Sequence, residues 1–195
     1  MARTEFTRLA RVFLLIAGAG VAMTAGGEQP KKDKPKEPPK VVTENKNTLI
    51  KKHREKLKLS CSTFFNGWPV ERIVDGDTKT SWFSAMGDAA AQGTKPWVMI
   101  EFPEDVTVTL VTVLGNREEP YAKGYTILSG KVEFLDAEGK ILFADENKGI
   151  GNESDFEFKP KKPVEKVRSI RFTSLKDEGD QNDFKDIAIS EIQVE

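Results

Sequence analysis

From about Leu57 onward the chain alternates apolar and polar residues in short runs. Val98, Ile100 and Phe102 share one parity while Met99 and Glu101 take the other, and Val132 with Phe134, Phe156 with Phe158, and Ile170 with Phe172 repeat the pattern. A period of two, interrupted by turn residues such as Ala137-Glu138-Gly139, marks half-buried antiparallel strands. The runs predict strands at Leu57–Thr63, Pro96–Phe102, Val106–Gly115, Gly130–Asp136, Lys140–Asp145, Ser154–Lys159, Val164–Leu175 and Ile187–Val194. No window shows a sustained 3.6-residue period, and only Pro69–Val74 suits a helical turn. About eight antiparallel strands without internal repeats predict an all-β fold, a jelly-roll β-sandwich large enough to build a two-sheet core.

The last strand breaks its own rhythm. Ile187, Ile189 and Glu191 share a parity, yet Ile192 and Val194 take the opposite one. A β-bulge at Ser190-Glu191 restores the apolar face and turns the Glu191 carboxylate inward. A carboxylate withdrawn from water needs a cation or hydrogen-bond donors, and no neighbouring Lys or Arg offers itself.

Residues 75–82 read Asp-Gly-Asp-Thr-Lys-Thr-Ser-Trp. Asp75 and Asp77 bring carboxylate and carbonyl oxygens, Thr80 brings a hydroxyl and a carbonyl, and Gly76 permits the sharp turn. Calcium takes six to eight such oxygens, backbone carbonyls included. The segment is not an EF-hand, whose further acidic positions it lacks. The turn and the kinked last strand are therefore expected to share a structural Ca²⁺.

Ahead of the strands the texture is different. Arg3, Arg8 and Arg11 precede an apolar stretch from Val12 to Met23 that ends among small residues, the pattern of a signal peptide over residues 1–25 and too short for a membrane span. The alternative is an uncleaved anchor. Residues 26–56 read as a Lys/Pro-rich linker, extended and self-repelling, and residues 57–195 as the folded domain. Val41 to Lys58 fits either a marginal helix or a lead-in to the first strand. The segment 28–58 carries 11 basic and 5 acidic residues, whereas 59–195 carries 16 and 25. So acidic a domain excludes nucleic acid as partner. The single cysteine, Cys61, allows no intrachain disulfide and reads as a buried, inert thiol.

Four segments in order resemble the discoidin, or coagulation factor V/VIII type C, superfamily: Asp75-Gly-Asp-x-x-Thr-x-Trp82, Pro96–Phe102, Val167–Phe172 and Ile189–Val194, with Ser60-Cys61-Ser62 fitting its first strand. The resemblance covers about Leu57 to Glu195 and implies a galactose-binding-like jelly roll with a structural cation. It implies as ligands the Asp75 carboxylate, the carbonyls of Arg72 and Asp77, Thr80 through hydroxyl and carbonyl, the Ser190 carbonyl and the Glu191 carboxylate. It also implies core positions for Trp82 and Trp97. The stretch from Leu114 through Tyr121 to Phe134 is similar to a branch found with bacterial NAD glycohydrolases, although no glycohydrolase domain fits in the chain. The disulfide of the animal coagulation domains is absent, so phospholipid binding is not implied.

Candidate ligand contacts lie in loops. Trp68, after Phe64 and Phe65, reads equally as a platform for a sugar ring or as a cover over the sandwich end. Asn116, Arg117, Tyr121 and Lys123 mix a flat aromatic with directional donors and acceptors, which suits hydroxyl-rich ligands; an ordinary charged loop is the plainer alternative. Asp177, Glu178, Asp180, Asp183 and Asp186 read as a solvated acidic loop. His53 is the only histidine and lies in the basic lead-in, so Cys/His and Ser/His nucleophilic arrangements and histidine-rich zinc sites are excluded. The expectation is a monomeric, non-catalytic carbohydrate-binding module, exported to the cell surface, periplasm or medium, with a glycan or envelope polysaccharide as partner. The alternative is an envelope protein-interaction or adhesion module on the same scaffold.

Overall fold

In the computed structural model, which describes residues 40–195, alternation becomes two antiparallel sheets facing one another. The strands are β1 (Lys58–Cys61), β2 (Trp82–Phe83), β3 (Trp97–Val108), β4 (Val111–Gly115), β5 (Ile127–Leu135), β6 (Ile141–Lys148), β7 (Phe156–Phe158), β8 (Val164–Asp177) and β9 (Ala188–Val194). One sheet runs β1-β3-β8-β5-β6 and the other β2-β9-β4-β7. The inward parity of each strand fills the space between them: Val98, Ile100 and Phe102 from β3, Val132 and Phe134 from β5, Ile170 and Phe172 from β8, meeting Val111, Val113, Phe156, Phe158, Ile189 and Ile192. The fold is a galactose-binding-like β-sandwich with nine strands.

Three elements depart from the sequence-based expectation. The predicted run Val106–Gly115 is two strands, because the chain leaves one sheet after Val108 and enters the other at Val111. The Glu195 carbonyl holds that crossing, accepting from Thr109 N at 2.6 Å and Leu110 N at 3.0 Å. Strand β2, only two residues long, has no alternation to read. Trp97 is not core: it follows the outward parity of Met99 and Glu101 and is half-buried on the outer face of the five-stranded sheet.

The body also begins earlier than Leu57. Residues 40–56 lie outside the strands but pack on them, so the part of the predicted linker that the structure describes belongs to the folded unit. A short helix α1 (Thr48–His53) sends Ile50 into the main core, and His53, 6 % exposed, meets the Phe102 ring edge-on at 6.0 Å. The expectation of His53 outside the domain fails for this reason: in a one-and-a-half-turn helix, positions three apart share the buried face. Before the helix, Thr43 N donates to Glu157 Oε2 at 2.7 Å, and Asn45 Nδ2 donates to Thr112 Oγ1 and the Gln193 carbonyl, each at 3.2 Å. The signal-peptide reading and the linker as far as residue 39 lie outside the described residues; among those described, no helix is long and apolar enough to cross a membrane.

Asn47 is the key residue of this arm. It holds a left-handed backbone, φ 52°, and its Oδ1 accepts the buried Val194 N–H of β9 at 3.0 Å. Asn47→Ala leaves that donor unpaired and forces alanine into a conformation it disfavours, so a loss of about 1–3 kcal/mol is expected in a urea titration.

Candidate functional site

The expected cation turn and the last-strand kink do converge. The 3-10 turn Val70–Val74 buries Val70, Ile73 and Val74 and delivers the chain to Asp75. Gly76 then takes φ 82°, open to glycine and strained for other residues. Asp75 Oδ1 accepts from Asp77 N at 2.8 Å, while Thr80 Oγ1 donates to Asp75 Oδ2 at 2.6 Å and lies 3.0 Å from the Asp77 carbonyl. On the opposite side, Leu114 pairs with Glu191 but Gly115 pairs with Ile189, so Ser190 is the extra residue of a bulge. The bulge turns the Glu191 carboxyl against the turn, where Oε2 accepts from Gly76 N at 3.2 Å. Glu191 is 1 % exposed and its Oε1 has no hydrogen-bond partner. Burial pushes its pKa up to about 7; the Gly76 N–H opposes this and the Asp75 charge adds to it.

An orphaned carboxylate oxygen beside hydroxyl and carbonyl oxygens is the donor set of a hard cation. The residues fit calcium: Asp75, Asp77, Thr80 and Glu191 meet at one turn, and the Ser190 hydroxyl ties the bulge to that turn by donating to the Thr78 carbonyl at 3.0 Å, leaving the Ser190 carbonyl as its expected donor. Arg72 has only its backbone to offer, because its guanidinium turns to Glu118 at 3.0 Å. Among the described residues no three His, Cys, Asp or Glu side chains converge as metal ligands, so a cation at this turn would take most of its shell from hydroxyl and carbonyl oxygens. Arg54, from the packed N-terminal arm, donates to the Asp75 carbonyl, and its charge acts on Glu191 against the rise in pKa that burial causes.

The turn runs straight into β2 and so into a second site. Phe83 of β2 meets Trp68, Tyr121 and Tyr125 edge-to-face, with centroids 5.2–5.8 Å apart, and Phe65 bridges Trp68 to Phe184. These six rings and Asp186 line a small cleft of about 50 Å³. Glu118 anchors its rim: it accepts from Trp68 Nε1 at 2.8 Å, from Ser81 N at 2.8 Å and from Arg72, whose guanidinium lies 5.7 Å above the Trp68 ring. Asp186 is 2 % exposed, its Oδ1 is unpartnered, and burial pushes its pKa up to about 7.

Of the residues expected to touch ligand, Trp68 and Tyr121 enter the cleft and Lys123 stands exposed on the same loop. Asn116 and Arg117 do not serve there. Asn116 is buried and spends its amide on Ser81 Oγ, Glu118 N and the Tyr121 carbonyl. Arg117 makes a two-oxygen ion pair with Asp155 at 2.7 and 2.8 Å. Both shape the loop that carries Tyr121. The acidic loop is likewise not uniformly solvated: Asp177 is buried, accepting from Ala90 N, Ala91 N and Ser174 Oγ, and Asp186 sits beneath the rings. Phe83, Tyr125 and Phe184 were missed because they come from three distant segments, and Asp186 was read as solvated for the same reason. The one sequence signal was Phe184, an aromatic stranded among acids.

The two antiparallel sheets place the chain in the galactose-binding-like class of β-sandwich. The chain belongs to the F5/8 type C domain family, whose profile matches residues 58–190. Among solved structures it is similar to the family 32 carbohydrate-binding module of C. perfringens NanJ in complex with galactose, with 14 % identity, 73 % of this chain and 95 % of that one covered, and a TM-score of 0.59. A fucose-binding module of Streptococcus pneumoniae aligns with 13 % identity, 70 % and 89 % covered, TM-score 0.52. An F5/8 type C domain from Bacteroides fragilis aligns with 17 % identity, 72 % and 91 % covered, TM-score 0.55. A comparison with curated protein sequences gave no match. Placement in the NAD-glycohydrolase branch rests on the sequence resemblance alone.

Proposed function

We propose that this protein is an exported, non-catalytic glycan-recognition module whose ligand sits on the aromatic cleft and whose loops are fixed by calcium. The observation that carries the reading is the cleft itself: Trp68, Tyr121 and Phe184 line it with Asp186 beneath. Aromatic rings take the C–H faces of a sugar, and a carboxylate or phenol orients its hydroxyls. The similar structures whose names mention galactose and fucose support this assignment. Export is supported by the basic and apolar pattern of residues 1–25.

Calcium, held by Asp75, Asp77, Thr80, Ser190 and Glu191 with the Arg72 backbone, would supply a positive centre that clamps the turn. The turn leads through Ser81 to β2, and Ser81 binds both Glu118 and Asn116, so rigidity there reaches Trp68 and Tyr121. A non-catalytic role is supported by the state of the nucleophile candidates: the Cys61 thiol is pushed up by burial, and His53 is packed against Phe102.

Glycan-array screening followed by calorimetry tests the reading. One monosaccharide of about a dozen heavy atoms, at roughly 0.3 kcal/mol each, gives a Kd in the millimolar range. Tyr121→Ala is expected to weaken that binding about fivefold, since one aromatic contact is worth about 1 kcal/mol. No binding to any glycan at millimolar concentration would sink the proposal.

A further inference from the structure

The aromatic cleft has two properties that a site for neutral sugar does not need. Its rings stand at steep angles to one another: 74° for Phe65–Trp68, 79° for Phe83–Tyr121, 87° for Tyr121–Tyr125 and 76° for Phe65–Phe184. They form walls rather than one flat platform, and at about 50 Å³ the space between them suits a compact group better than a whole pyranose ring. The second property is electrostatic. Asp186 lines the cleft while 98 % buried, with its Oδ1 unpartnered. Arg72, which lies over the Trp68 ring, is paired with Glu118 at 3.0 Å, and Asp183 acts on Tyr125 together with Asp186. Lys123 stands exposed on a flanking loop, and Lys185, half-buried beside Asp186 in sequence, turns its ammonium to the Asp180 carbonyl at 3.2 Å.

A buried carboxylate without a counter-charge is costly, and a cation relieves that cost. The ring quadrupoles act in the same direction, because aromatic faces attract ammonium groups. We propose that the cleft is an ammonium cage, and that the sugar it prefers is an amino sugar carrying a free, protonated amine. The inference rests on the glycan reading and gives it a substrate class. The amine enters among Trp68, Tyr121 and Phe184 above Asp186, while the rest of the sugar lies over the rim by Lys123. Anionic sugars are repelled by the same carboxylate.

The test compares glucosamine, N-acetylglucosamine and choline chloride by calorimetry with the full chain at neutral pH. Glucosamine and its N-acetyl form differ only at the amine, so the expected result is binding at least tenfold tighter for glucosamine. Asp186→Asn is expected to erase the difference, and Tyr121→Leu, which keeps bulk but removes a ring, to reduce it. Equal affinity, or preference for the acetylated sugar, overturns the cage and leaves glycan recognition standing. Binding of choline with neither sugar supports the cage and overturns the glycan reading. No binding of any of the three overturns the cage, and the glycan array then decides the broader reading.

Discussion

Glu191→Gln is expected to raise the melting temperature of the metal-free protein at pH 8 and to abolish its response to calcium. The Glu191 carboxyl is buried by the β9 bulge with one oxygen unpartnered, and burial moves its pKa from 4.5 to about 7. A pKa raised in the folded state means that folding favours the protonated form. The cost of charging is therefore absent below the unfolded value, grows as pH rises between the two, and is fully present above about 7. At about 1.4 kcal/mol per unit the cost is about 3 kcal/mol. Glutamine keeps the shape and removes that cost, and for a chain of this length a gain of this size raises the melting temperature by about 6–12 °C. Calcium offsets the same charge in the wild type, adding about 2.7 kcal/mol at a hundredfold excess over its Kd. Glutamine offers only a neutral carbonyl and leaves Asp75 as the one carboxylate ligand of the expected set, so the variant is expected to melt at the same temperature with calcium or chelator. Melting curves of both proteins in both conditions check this, and a wild-type curve that ignores calcium removes the metal from the proposal.

Asp186→Asn carries the second large effect. Burial of Asp186 beneath the rings moves its pKa from 3.8 to about 7, so the folded protein loses stability as pH climbs through that interval. The Asn variant is expected to be about 4 kcal/mol more stable than wild type at pH 8 and indistinguishable from it near pH 3.5, the difference opening in between. Urea titrations across the pH range measure it. A constant difference at all pH values would show that packing, not charge, separates the two proteins. The carboxylate destabilises the unliganded fold, which is typical of a group kept for binding. Glu133 works in the opposite sense: hydrogen bonds from Arg171 and Lys131 outweigh its burial and hold its carboxyl below the usual range, so its contribution is lost as pH falls. Together these groups place maximal stability of the free protein on the acid side of neutrality.

The sandwich was legible because its signal is local. Alternation along β3, β5 and β8 places each side chain in or out, and a single slip of parity at Ser190-Glu191 located the bulge that orients Glu191. The turn that meets Glu191 was legible for the same reason, since Asp75, Asp77 and Thr80 lie within six residues. The aromatic cleft is assembled from residues 65–68, 83, 121–125 and 184–186, brought together only by the loop connections of two sheets. Side-chain chemistry also misled at Asn116 and Arg117, where donor-rich residues in a loop satisfy that loop and not a ligand. Trp97 shows the converse: its parity with Met99 and Glu101 pointed outward, and the family position drew it inward. The N-terminal arm escaped because its contacts are largely polar, from Thr43, Asn45 and Asn47, and its few apolar residues, Leu49, Ile50 and Leu57, are too sparse among lysines to register as core.

That arm has a mechanical consequence. Thr43, Asn45 and Asn47 grip β7, β4 and β9 in turn, three neighbouring strands of a single sheet. Tension arriving from residues before 40 is therefore divided among three strands before any one of them must peel, and Ile50 holds until those grips fail.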